Sequence, residues 1–160
     1  LVKKRVRKEW GIMALLQSCG MSASGMTAQQ FRADIIAENL ANVNTTRTDA
    51  GTTYRRKVVA FQEKGANRFD RYLTESRKRG SHIGNGVKVV EVREDMETDF
   101  IMEYDPSHPD ADENGYVSYP NVNLVTEMTN LIDASRAYEA NITAFDASKA
   151  MAQAGLQIGK

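Results

Sequence analysis

The chain has 160 residues, enough for one ordinary domain. Its 21 lysines and arginines are balanced by 21 aspartates and glutamates, so it has no basic excess for a phosphate backbone, which argues against nucleic acid as the main partner. No apolar run approaches the ~20 residues of a membrane span, and the single Cys19 excludes an internal disulfide.

Residues 1–12 form a basic N-terminal extension with Lys3, Lys4, Arg5, Arg7 and Lys8; Met13-Ala14-Leu15-Leu16 then makes a more ordinary beginning. Leu16-Gln17-Ser18-Cys19 resembles a lipoprotein cleavage box. The apolar part, Gly11 to Leu16, is shorter than the ~7–15 residues such a signal needs. The helical pattern also runs straight through Cys19. The expectation is a solvated extension, not a signal, with Cys19 as a small apolar residue.

From Met13 to Val43 the apolar period is that of a helix. Leu16, Cys19, Ala23, Met26, Ala33, Ile36, Leu40 and Val43 make one stripe; Leu15, Ala28, Phe31 and Ile35 add a second line. Gly20 and Gly25 weaken the first half by about 1 kcal/mol each against alanine. Asn39 to Thr46 ends the helix, because asparagine and threonine side chains compete for backbone hydrogen bonds. Residues 13–46 are thus the N-terminal helix of a two-helix stem.

Residues 47–120 read as a β-rich insertion. Strands are expected at Tyr54–Phe61, around Val87, Val89 and Val92, at Thr98–Tyr104 and at Tyr116–Tyr119. Residues 62–86 form an irregular loop with a short basic run, Arg77-Lys78-Arg79, closed by the turn Gly84-Asn85-Gly86. The acidic stretch from Asp110 follows the opening of a calcium loop: Asp110, Asp112, Asn114, Gly115 and Val117 fill positions one, three, five, six and eight. The twelfth position is Asn121, not glutamate, and prolines and strands flank it where helices are needed. A soluble, calcium-linked binding module is therefore the alternative to the reading below, and a rigid turn is the simpler one.

No phosphate-binding, zinc-protease or paired-cysteine motif is present, and neither His82 nor His108 has a local nucleophile and acid beside it. The expectation is a protein without catalytic residues, metal or cofactor.

Residues 121–160 carry the C-terminal helix. Leu124, Met128, Leu131, Ser135, Tyr138, Ile142, Phe145, Lys149, Ala152 and Leu156 alternate steps of four and three, an a/d seam. A smoother line of Ala137, Ala140, Ala144, Ala147, Met151, Ala154 and Ile158 lies one stripe over. Fully helical, Asn123 to Ile158 spans roughly 50 Å, against a radius of gyration of about 15 Å for a compact body of this size. Two adjacent apolar faces call for two sets of neighbours. The expected class is α+β: long N- and C-terminal helices paired as a coiled-coil stem, with a small β-rich insertion between them.

Several separated motifs resemble the flagellar axial proteins of rod and hook. Met26-Thr27-Ala28-Gln29, with Ile35 through Thr46, is similar to their N-terminal signature. Thr46-Arg47-Thr48, Tyr54-Arg55-Arg56-Lys57, Tyr104 through Asp110 and Gly115-Tyr116-Val117 are similar to the proximal-rod members. Asn121-Val122-Asn123, Glu127-Met128 and Ser135 through Asn141 resemble the C-terminal pattern. The resemblance implies a non-enzymatic structural subunit of the bacterial flagellar basal-body rod. It implies export by the flagellar apparatus without a cleaved signal, and helical assembly in the periplasm with its own copies, other proximal and distal rod proteins and a rod-base adaptor. Asn39, Asn42, Asn44, Tyr138 and Asn141 are the family-motif positions. Met26, Phe31, Ile36, Leu40, Leu124, Met128, Leu131, Tyr138, Ile142, Phe145 and Leu156 are the expected seam, with Tyr138, Ile142 and Phe145 facing Ile36 and Leu40. Ala137, Ala140, Ala144, Ala147 and Met151 are the expected small face between subunits. Both ends are expected to order only on assembly.

Overall fold

The computed structural model describes residues 2–65 and 85–157, with side chains from Gln17 onward in the first helix. The order is α1 (Val2–Ala41), β1 (Lys57–Glu63), β2 (Val87–Glu94), β3 (Ile101–Tyr104), β4 (Tyr116–Tyr119) and α2 (Leu124–Gln157). Two long helices flank two small sheets, β1–β2 and β3–β4, an α+β arrangement. Helix α1 begins well before Met13. Its extra turns contain no proline, and lysine and arginine are good helix formers. β3 begins at Ile101, later than expected, because the Thr98 N–H is held in a turn by Asp95 Oδ1 at 3.1 Å. Gly84, His82, the run Arg77-Lys78-Arg79 and most of the 62–86 loop lie outside the described residues.

The chain gathers into two units. The first comprises Leu1–Gln29, Phe61–Val89 and Arg136–Lys160. In it α1 and α2 run antiparallel. The Ser18 hydroxyl donates to Ser148 Oγ at 3.3 Å, and one heptad along, Gly25 lies against Asn141. A Cβ on Gly25 would sit 2.5 Å from Asn141 Oδ1, an atom held in place because Asn141 Nδ2 donates to Ala137 O at 2.7 Å. Gly25, a weak helix residue by propensity, is thus what lets the two backbones approach. Ser24 ties the start of β2 to the same turn, donating to Met21 O at 2.7 Å and accepting the Val87 N–H at 3.1 Å. Gly86, at φ +95°, has no room there for a side chain.

The second unit comprises Gln30–Ala60 and Val90–Ser135 and is built on buried polar groups. Asn39 is fully buried and saturated. Its Oδ1 accepts the Lys57 N–H and the Tyr54 hydroxyl, both at 2.9 Å; its Nδ2 donates to Lys57 O at 2.9 Å and Glu127 Oε2 at 3.1 Å. The amide thereby pairs with both backbone groups of Lys57, as a neighbouring strand would. Glu127, 1% exposed, is met by Arg56 Nε at 3.0 Å, Arg56 Nη2 at 2.8 Å and Asn130 Nδ2 at 3.2 Å, all on Oε1. Asn121 accepts the Arg56 N–H at 2.8 Å and donates to Asp95 O and Thr98 O at 3.0 and 3.1 Å. Asp95 lies 3.7 Å from Arg56 Nη1. Its carboxyl is held below the usual carboxylate range, first by the Thr98 N–H and then by the Thr98 hydroxyl, the Glu97 N–H and Arg56.

Two outcomes follow from this cluster. Arg56→Leu strips Glu127 of its counter-charge and is expected to cost about 3–5 kcal/mol in denaturant unfolding. The Arg56→Leu/Glu127→Leu double variant should recover part of that loss, since no unpaired charge stays buried. Burial, with help from the carboxylates of Glu38, Glu94 and Glu127, pushes the Tyr54 phenol up to about 12. Its folded value lies above the unfolded value of about 10, so its contribution is complete below that pH and is lost as pH rises toward 12. Alkaline unfolding followed by circular dichroism should show this limb in the wild type, and Tyr54→Phe should flatten it.

Candidate functional site

The inward and outward lines of α2 divide the expected seam. Leu131, Tyr138, Phe145 and Ala152, spaced by seven, are half-buried. Met128, Ile142 and Leu156, on the companion line, are exposed at 52%, 37% and 65%, as is Leu124. Val125 and Ile132 widen that outer surface. The buried residues of α2 are instead Glu127, Ala134 and Ser148, again at seven-residue steps that take in Asn141. This helix turns a small and polar line inward and leaves half its bulky residues in solvent. On α1, Ile36 is buried, Met26 and Leu40 are half-buried, and Phe31 is exposed. On the small face Ala137 is half-buried, while Ala140, Ala144, Ala147 and Met151 are exposed.

The pairing of helices differs from the facing expected for Tyr138, Ile142 and Phe145. Asn39, between Ile36 and Leu40, bonds Glu127 near the opening of α2, whereas Asn141, in the middle of the expected trio, lies against Gly25. Within the second unit the end of α1 meets the start of α2, and within the first Gly25 meets Asn141.

Of the motif asparagines, Asn39 carries the buried cluster and Asn42 ends the helix. Asn42 Nδ2 donates to Glu38 O at 2.9 Å, and its Oδ1 accepts the Thr45 hydroxyl at 3.1 Å. Asn44 is exposed. In the sequence Arg56 and Glu127 are visible only as motif letters, and Asn121 only as a motif letter and the mismatched twelfth position of the calcium-loop pattern. An apolar period cannot find them, because their burial is set by one another.

The calcium-loop reading fails on geometry. Asp112 Oδ1 accepts the N–H groups of Asn114 and Tyr116, and Asp110 Oδ2 accepts the Thr46 hydroxyl at 2.8 Å, with Arg47 3.7 Å away at its other oxygen. Asn121, the would-be twelfth position, is committed to Arg56, Asp95 and Thr98. Among the described residues no group of three or more His, Cys, Asp or Glu could hold a metal ion. Nδ1 of His108 accepts the Asp110 N–H at 3.1 Å, so it serves the same rigid turn. No described helix is long and apolar enough to cross a membrane.

Comparison with known proteins places these features. A family model described as flagella basal body rod protein matches residues 21–47, and one described as flagellar basal body rod FlgEFG protein C-terminal matches residues 113–158. A Bacillus subtilis protein named flagellar basal-body rod protein FlgC is 43% identical over 152 residues, covering 92% of this chain and all of the relative. Its namesake in Borreliella burgdorferi is 41% identical over 152 residues, covering 91% and 98%. The Escherichia coli O157:H7 namesake is 38% identical over 148 residues, covering 92% and 100%. The two family models fall on the two segments that carry the buried asparagine and the outward apolar line, and this chain belongs to the flagellar basal-body rod protein FlgC family.

Proposed function

We propose that the protein is a structural subunit of the proximal rod of the bacterial flagellar basal body. It assembles helically through α1 and α2, encloses the export channel and transmits torque, and it performs no catalysis. Its neighbours are further copies, other proximal and distal rod proteins and a rod-base adaptor. It reaches the periplasm through the flagellar export apparatus without a cleaved signal. The observation that carries this reading is the outer face of α2, where Leu124, Val125, Met128 and Ile132 are all more than half exposed. Apolar surface of that extent on a single chain is an association surface. The exposed Ala140, Ala144 and Ala147 beside it would admit the backbone of an adjacent subunit closely. No observation favours a second reading.

Ala144→Glu tests the small face. Position 144 is exposed in the single chain, so the variant should fold and be secreted as the wild type is. In an assembled rod it would bury an unpaired carboxylate, and electron microscopy should find basal bodies without rods and non-motile cells. Normal motility would remove Ala144 from the interface. The ordering of the ends on assembly is tested by amide exchange on dilute monomer. Fast exchange is expected along α1 and α2 away from the Asn39–Glu127 cluster, and slow exchange after assembly. Protection throughout both helices in the monomer would contradict it.

A further inference from the structure

The two edges of the β3–β4 ribbon differ. Ile101 stands opposite Tyr119, Met102 opposite Ser118, Glu103 opposite Val117 and Tyr104 opposite Tyr116. Just past the ladder the Asp105 N–H donates to Gly115 O at 3.0 Å. Residues of an antiparallel strand alternately face the partner and face away. Ile101 and Glu103 therefore bond β4, and Met102 and Tyr104 send their N–H and C=O groups outward. The outer edge of β4 is closed by its own chain. Asp112 Oδ1 accepts the Tyr116 N–H at 2.8 Å, Tyr116 O accepts the Asp112 N–H at 2.9 Å, and Ser118 O accepts the Thr53 hydroxyl at 3.3 Å. The outer edge of β3 has no such cover: among the described residues no hydrogen bond reaches the backbone of Met102 or Tyr104.

The edge is formed before anything binds. Tyr104 and Tyr116 meet edge to face across the ribbon, with ring centroids 5.3 Å apart, and hold the end of β3 extended. Ile101, Met102 and Tyr104 are each more than half exposed. The strand, Ile-Met-Glu-Tyr, has neither the lysine nor the proline with which edge strands discourage pairing. A ribbon of two strands is marginal in water, so a third would stabilise it.

Charge selects the occupant. From Glu94 to Glu113 there are nine acidic side chains and neither lysine nor arginine. Arg56 answers Asp95, and Arg47 answers Asp110. Glu97, Asp99 and Glu103 are exposed, and among the described residues no ion pair reaches them. An added strand must therefore bring positive charge. None of the described strands of a second copy combines that charge with an open edge. In β1, Asn39 occupies both backbone groups of Lys57; in β2, Lys88 and Arg93 are offset by Glu91 and Glu94; β3 is itself acidic. We propose that the free edge of β3 receives an extended segment rich in lysine and arginine from a different protein of the assembly. The segment adds a third strand: its backbone bonds Met102 and Tyr104, and its basic side chains meet Glu97, Asp99 and Glu103. The inference rests on the rod reading in one respect, that other chains stand beside this one.

Photo-cross-linking tests it. The full-length chain with benzoylphenylalanine in place of Tyr104 is expressed in flagellated cells instead of the native copy. Isolated basal bodies are irradiated, and the linked peptide is sequenced by mass spectrometry. The expected product joins position 104 to a stretch of another protein in which lysine and arginine outnumber aspartate and glutamate. A link to a second copy of this chain overturns the proposal, as does a link to a stretch without basic excess. In a second arm the same chain also carries Asp99→Lys and Glu103→Lys. Both positions are exposed, so the purified variant should melt as its parent does, and the link should be lost. A link of undiminished yield overturns the proposal. Basal bodies that contain the chain without any link at position 104 remove only this contact. Basal bodies that lack the chain altogether remove the rod reading with it.

Discussion

The fold depends on a carboxylate that has almost no access to water. Glu127 is tolerable inside because Arg56 meets one oxygen with two N–H groups and Asn39 meets the other. A buried ion pair adds little stability by itself; what it adds is intolerance of alternatives, since any arrangement that separates the partners strands a charge. Around that constraint the end of α1, the first residue of β1 and the opening of α2 have one arrangement in which every polar atom is answered. Buried apolar residues are few among those described: Ala28, Ile36, Tyr54, Val117, Pro120, Val122 and Ala134. The interior specifies geometry through hydrogen bonds where a larger domain would use packed hydrocarbon.

That economy explains the exterior. A helix that spends its inward line on Glu127, Ala134, Asn141 and Ser148 has its bulky residues left over, and they appear on the surface as Leu124, Val125, Met128 and Ile132. For a molecule that works alone this would be an aggregation hazard. For a member of the flagellar rod family it fits the role proposed above, a surface on which neighbours are laid down. Specificity is kept inside the subunit and adhesion outside it.

Much of this was legible in the sequence, and the illegible parts share a cause. The two helices, the α+β class and the position of β4 follow from periodicity and turn chemistry, which are local. The start of α1 differs from the expectation because lysine and arginine, which suit solvated chain, are also helix formers. The seam is legible in the sequence only as an apolar stripe. A stripe of apolar letters tells which residues would favour burial, but not which of two lines finds a partner in the same chain. Gly25 was read as a weakness, because its value lies in Asn141, 116 positions away in sequence and invisible to a local window. Arg56, Asn121 and Glu127 were missed for the same reason.

The separation between Asn39 and Glu127, 88 residues, bears on when this structure can exist. Contacts so distant along the chain form late and slowly, after the cost of closing a long loop has been met. A polypeptide emerging N-terminus first from a ribosome or a narrow conduit holds its first helix without the carboxylate that completes it. It can close only when Glu127 has come through. A product that ends before residue 127 keeps the bonds of Asn39 to Lys57 and Tyr54 but lacks the carboxylate that answers its remaining N–H.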